Sequence, residues 1–137
     1  MIDINVKRRV AELEEILKEH QMYRNGVEGA RRADLSNMDL RGYVFKNISM
    51  SEVIFDNANL EGAVFENVAL VDVSMVNVDL SYARFNNCVI GFTSITGKVK
   101  STVFSESDLN NVKMMVEHKD EVILTKSSTA FELSFNS

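Results

Sequence analysis

From Leu35 to Ile95 a large apolar residue falls at every fifth position. The series is Leu35, Leu40, Phe45, Met50, Phe55, Leu60, Phe65, Leu70, Met75, Leu80, Phe85, Ile90 and Ile95. A helix repeats at 3.6 residues and a strand at 2, so a strict period of five belongs to neither alone. Two residues before each centre stands a smaller or apolar residue: Ala33, Met38, Tyr43, Ile48, Val53, Ala58, Ala63, Val68, Val73, Val78, Ala83, Cys88 and Thr93. Two residues after the centres, turn formers prevail, among them Asn37, Gly42, Asn47, Asn57, Gly62, Asn67, Asn77, Asn87 and Gly97. Each unit therefore reads as a short extended piece with two inward side chains, followed by a turn, over residues 30–116.

A longer period lies on top of the short one. Leu40, Leu60 and Leu80 are 20 apart, as are Phe45, Phe65 and Phe85. So are Asn37, Asn57 and Asn77, and Asn47, Asn67 and Asn87. Like residues at this spacing predict coils of 20 residues stacked in register. The beat then slips, because residue 100 is Lys. Taking Val99 as the next centre, with Gly97 two before it, restores the columns. Phe104, Leu109 and Met114 follow, with Thr102, Ser107 and Val112 as their partners. One unit has lost a residue. This gives 17 centres from Leu35 to Met114, slightly more than four coils. At strand spacing the stack is about 20 Å long.

The ends leave the pattern. Val6, Val10, Leu13 and Leu17, widened by Ile16 and Tyr23, form one apolar stripe of a helix over 4–24. Asp3 or Asn5 is placed to cap it and Gly26 to end it. Its other face is charged, so it suits a one-sided cap on the first coil. At the C-terminus, Val122–Leu124 and Phe131–Phe135 read as two strands joined by a turn at Ser127-Ser128-Thr129. The expectation is a hairpin that covers the last coil. The parts are thus 1–29, 30–116 and 117–137 of a single domain.

Arg32-Ala33-Asp34-Leu35-Ser36, Ala58-Asn59-Leu60-Glu61-Gly62 and Ala63-Val64-Phe65-Glu66-Asn67 resemble the units of the pentapeptide-repeat family. The resemblance covers residues 30–116. It implies an all-β solenoid, a right-handed quadrilateral parallel β-helix with four units per turn. The segment Leu13–His20, with Gly26, Gly29 and the first unit after it, is similar to the leader of bacterial and prophage members. Some members resemble B-form DNA and protect or inhibit DNA gyrase. That implies a second role, with Asp39, Asp56, Glu61, Glu66, Asp72 and Asp79 imitating phosphates towards gyrase or, for a phage product, a host defence enzyme.

The net charge of −5 over 137 residues argues against direct nucleic-acid binding. Residues 33–97 hold 3 basic and 8 acidic groups, so the regular repeat carries the excess. One cysteine, Cys88, forms no internal disulfide, and no apolar run approaches a membrane span. Met1–Arg9 is too polar for a secretory signal, so the expected location is the cytoplasm of a bacterial or infected bacterial cell. No catalytic or metal motif is present and no cofactor is implied. His20 and His118 lie far apart, with His20 read as a helix-surface residue and Cys88 as packing. The outward positions carry the functional information. Around Leu40, Leu60 and Leu80 they are mostly acidic. Around Met50, Leu70 and Ile90 they lack charge, and Ala69, Val71, Val76, Val89 and Phe92 form an apolar candidate interface. The primary expectation is a non-enzymatic interaction scaffold with a protein partner, most simply a second copy in a homodimer.

Overall fold

A computed structural model describes the backbone of residues 4–135, with the side chains of residues 4–9 and 129–133 outside the description. The chain forms two compact units, Met1–Asp34 and Leu35–Ser137.

In the first unit, α1 runs from Ile4 to Arg24. The proposed cap Asp3 lies outside the described residues, as do the side chains of Asn5 and Val6. Val10 is exposed, whereas Leu13, Leu17 and His20 are buried. The helix stops as its sequence predicts. Gly26 adopts φ +78°, its N–H donates to the Tyr23 carbonyl, and Val27 N–H donates to Met22. This pair of bonds satisfies carbonyls that the helix end leaves open. His20 corrects its surface assignment. It is wholly buried, and its Nδ1 accepts the Ala33 N–H at 2.9 Å. The spacing explains this, since His20 continues the Leu13–Leu17 stripe by three residues. Glu19 closes the same segment from outside by accepting the Arg31 N–H (2.9 Å) and side chain (3.2 Å).

The second unit is a four-sided parallel β-solenoid. Its strands are β1 (Val44–Ser49), β2 (Val64–Val71), β3 (Ser74–Asp79), β4 (Arg84–Asn86), β5 (Val89–Lys98), β6 (Val103–Ser105), β7 (Asp108–Glu117), β8 (Ile123–Thr125) and β9 (Ser128–Phe135). All strand pairs are parallel, and Phe45, Phe65, Phe85 and Phe104 are successive partners. The four sides are named here for their centres. The Leu side holds Leu40, Leu60, Leu80 and Val99, and the Phe side the four phenylalanines just given. The Ile90 side holds Met50, Leu70, Ile90 and Leu109. The Met75 side holds Leu35, Phe55, Met75, Ile95 and Met114. Every one of these 17 centres is buried, as the spacing predicts.

Corners form where the chain turns left-handed. Positive φ falls at Asn37, Gly42, Asn47, Glu52, Asn57, Gly62 and onward to Phe92 and Gly97 at five-residue intervals. A carbonyl such as that of Leu40 or Leu60 accepts the N–H three residues on, at 3.1 and 3.0 Å. Asn tolerates this conformation and also links coils: Asn67 Nδ2 donates to Asn47 Oδ1 at 3.1 Å, and Asn77 to Asn57 at 3.0 Å.

Inside, the phenylalanine rings stack in a file. Their centroids are 4.9, 4.6 and 4.6 Å apart, with tilts of 19°, 3° and 11°. Phe55 meets two of them edge-on. The smaller inward column changes character along the axis. Val68 gives way to Cys88, Ser107 and then Ser127. Ser107 Oγ donates to the Phe85 carbonyl and accepts the Cys88 N–H, and Ser127 Oγ donates to Phe104. Hydroxyls here bind backbone groups that buried side chains would otherwise leave unpaired.

The slip before Val99 is located in the pairing of β3 with β5. Met75 pairs with Ile95, but Val78 pairs with Gly97, so the residue missing is the counterpart of a corner. Thr96 Oγ1 accepts the orphaned Asn77 N–H at 2.6 Å. Gly97 takes φ +125°, where a Cβ would overlap the Val78 carbonyl and lie 2.8 Å from its nitrogen. Only glycine fits.

The C-terminal hairpin is not formed. β8 pairs parallel with β6, and β9 pairs parallel with β7. Leu124 stands 20 residues after Phe104, and Ser127 stands 20 after Ser107, so the segment continues the coil. A short 3-10 turn at Lys119–Glu121 masks this continuity by adding polar residues where a centre belongs. The side chains of Phe131 and Leu133 lie outside the described residues.

Candidate interaction surfaces

Each side of the solenoid bears two outward files, one just before and one just after its centres. Parallel register fixes their neighbours. On the Ile90 side, Ser49, Ala69, Val89 and Asp108 form the first file. Val71, Gly91 and Asn110 follow one another in the second. The structure therefore brings Ala69, Val71 and Val89 together, with serine on one flank and polar residues on the other. Phe92 rises from the adjoining corner, 67% exposed, with φ +47°. A bulky side chain in the left-handed region is strained, and the same corner is held by Asp72 one coil earlier and by Asn111 one coil later. Val76 does not join this patch. It precedes the Asn77 corner, whereas Phe92 sits on the corner that Asp72 occupies one coil earlier. Ser74 and Ser94, paired on the Met75 side, stand between.

The six candidate acids are dispersed. Asp39, Asn59 and Asp79 share one file of the Leu side, with Glu61 in the next. Glu66 lies on the Phe side between Lys46 and Asn86. Asp56 is on the Met75 side and Asp72 at a corner. Three of them already serve the chain. Asp39 accepts two bonds from Arg41, at 2.8 and 2.7 Å. That hydrogen-bonded pairing, with Coulomb attraction, raises the Arg41 pKa above its ordinary value. Asp56 Oδ1 accepts Ser74 Oγ at 2.6 Å and Val76 N–H at 3.0 Å. Asp79 Oδ1 accepts the Ser81 N–H at 2.9 Å.

One surface was not anticipated from the sequence. The first file of the Phe side reads Val44, Val64, Arg84, Val103 and Ile123, running through five coils. Val44 and Ile123 are each 48% exposed, and Tyr82 stands at the corner beside Arg84 with φ +62°. Sorting outward residues by 20-residue column would have found it. Its members look unremarkable when the chain is read coil by coil.

Among the described residues no group of three His, Cys, Asp or Glu is placed to hold a metal ion. Cys88 is buried, its Sγ donating to the Phe65 carbonyl at 3.3 Å, and desolvation raises its thiol pKa. His118 Nδ1 lies 3.6 Å from a Glu121 carboxylate oxygen. An open groove of about 260 Å³ follows the Asn57–Asn77–Gly97 corner, with Asp79, Lys98 and Glu117 on its rim.

A parallel coil with five-residue units, left-handed corners and a stacked phenylalanine file defines a repeat-built β-solenoid. The family described as Pentapeptide repeats matches residues 31–67 and 58–90, with eight copies. Residues 31–90 are thus built from the repeats of the pentapeptide-repeat family. Among solved structures it is similar to a pentapeptide repeat protein from the cyanobacterium Cyanothece 51142, at 13% identity and a TM-score of 0.42. That match covers 91% of this chain and 99% of the other. No curated protein matches the sequence. No helix among the described residues is long and apolar enough to cross a membrane.

Proposed function

We propose that the protein is a non-catalytic docking scaffold that holds another protein against the patch of Ala69, Val71, Val89 and Phe92. The observation that carries this reading is Phe92. Its ring is exposed and its backbone is strained, and each of these is a cost to the isolated fold. A residue that costs stability twice and packs against little of its own chain is explained by a contact outside it. Aromatic anchors surrounded by small apolar residues are the usual energetic centres of interfaces. The simplest occupant is a second copy, which would bury the same patch on both partners.

Phosphate mimicry draws less support. The candidate acids occupy three sides and a corner rather than one strip, and three are bonded within the chain. The unpaired, buried Cys88 fits a reducing compartment.

Phe92→Asn is the discriminating variant, because asparagine suits the left-handed corner. It is expected to leave the melting temperature unchanged or raised while abolishing capture of the partner from a host lysate by the tagged protein. Sedimentation of wild type and Val71→Lys asks whether that partner is a second copy. A Phe92→Asn protein that melts lower and still captures the same partner would defeat the reading.

A further inference from the structure

The geometry points to a second docking surface, independent of the Phe92 patch: the first file of the Phe side receives an amphipathic helix of another protein, with a carboxylate in the middle of its apolar stripe. Val44, Val64, Arg84, Val103 and Ile123 are successive partners in the parallel ladder. At a ladder spacing of about 4.8 Å the file is about 19 Å long. Four of its five members are β-branched apolar residues, and the two end residues are about half exposed. Beyond it, the second file of the same side carries only Lys46 and Glu66 as charges, followed by Asn86, Ser105 and Thr125.

The occupant follows from spacing and charge. Along a helix, positions three and four apart rise by about 4.5 and 6.0 Å, which averages close to the ladder spacing. An extended strand lying along the file would present one side chain every 6.6 Å or so and drift out of phase. A helix of about 13 residues spans the file. The centre of the file is Arg84, exposed and without an ion pair or side-chain hydrogen bond among the described residues. A guanidinium in the middle of an apolar surface selects a carboxylate opposite it and rejects a cation. It also argues against a second copy here. A two-fold axis centred on the file would set Arg84 against Arg84, while Val44 met Ile123. Tyr82, held in the left-handed corner two residues before Arg84 and 52% exposed, adds an aromatic residue at the margin of the file.

The test uses the full chain and two fluorescein-labelled, alanine-rich helical peptides of equal length. Both carry a leucine stripe at i, i+3 and i+4 spacing, one with glutamate at its centre and one with lysine. Fluorescence anisotropy is expected to give tighter binding of the glutamate peptide by at least about tenfold, the scale of one charge-assisted contact. Arg84→Glu is expected to reverse the preference with an unchanged melting curve, and Val64→Lys to remove binding of both. Phe92→Asn should leave peptide binding intact, which separates this surface from the patch above. Equal affinity for the two peptides, no saturable binding of either, or loss of binding in Phe92→Asn would each overturn the proposal. So would a homodimer in sedimentation that Val64→Lys dissolves.

Discussion

Replacing Gly97 with alanine isolates the consequence of the lost residue. Gly42 and Gly62 also have positive φ, at +69°, yet a Cβ added to either meets nothing within 4 Å. Alanine there carries only the left-handed penalty, about 1–2 kcal/mol, offset in part by the reduced freedom of the unfolded chain. At Gly97 the same methyl group overlaps the Val78 carbonyl and sits 2.8 Å from Val78 N and 2.9 Å from its carbonyl carbon. All three obstacles are backbone, fixed in the ladder that joins β3 to β5. Relief requires the two coils to part, which removes the Leu80–Lys98 hydrogen bond (2.8 Å) and uncovers Val99. The expected loss exceeds about 4 kcal/mol, in the range reserved for severe core or backbone disruption. Urea denaturation followed by circular dichroism, on Gly97→Ala and Gly42→Ala in parallel, measures the difference. If the two variants unfold at the same denaturant concentration, the one-residue deletion does not sit at this corner and the register argument is wrong.

Phe65→Asp places a carboxylate inside the ring stack, between Phe45 and Phe85, and is expected to abolish the cooperative β-sheet transition by circular dichroism; a wild-type melt would contradict the coil. His20→Phe leaves the Ala33 N–H without its acceptor and should cost about 1–3 kcal/mol, read in the same denaturation assay. Cys88 should resist iodoacetamide in the folded protein and react at once in urea, by mass spectrometry. Because burial raises the folded thiol pKa, the folded state binds that proton more tightly than the unfolded chain. Stability from this group is therefore present below the ordinary thiol pKa and falls as pH rises above it, which Cys88→Ala should flatten in an alkaline melting series.

The repeat and its slip were legible because each inward side chain answers to one local rule. A five-residue beat fixes which residues point in, and Lys100 cannot be one of them. The C-terminus is misleading for the same reason. Alternation in Phe131–Phe135 identifies a strand but not its partner, and the polar Lys119–Glu121 turn interrupted the beat. Residue type alone favours the surface for His20, although its spacing from Leu13 and Leu17 puts it on the buried side. The outward surfaces were only half legible. Val89 and Phe92 are close in sequence as well as in space. Val44 and Ile123 share a file only because five coils stack, and Val76 is separated from Phe92 by a full side of the coil.

The stacked rings also act as a gauge on how such a chain can change in length. Insertion or loss of a whole 20-residue turn returns Phe65 onto Phe85 and Asn47 onto Asn67, so every ladder closes again. A shorter change shifts each later residue to the wrong side of the wall. One such change in this chain lies at a corner, where Thr96 supplies a side-chain oxygen and Gly97 supplies an absent Cβ, and a second register shift falls between Asp108 and Asn110, opposite Ser128 and Phe131. Growth by quanta of one coil, with rare shorter edits absorbed locally as at Gly97, is the route this geometry leaves open to evolution and to anyone lengthening the protein by design.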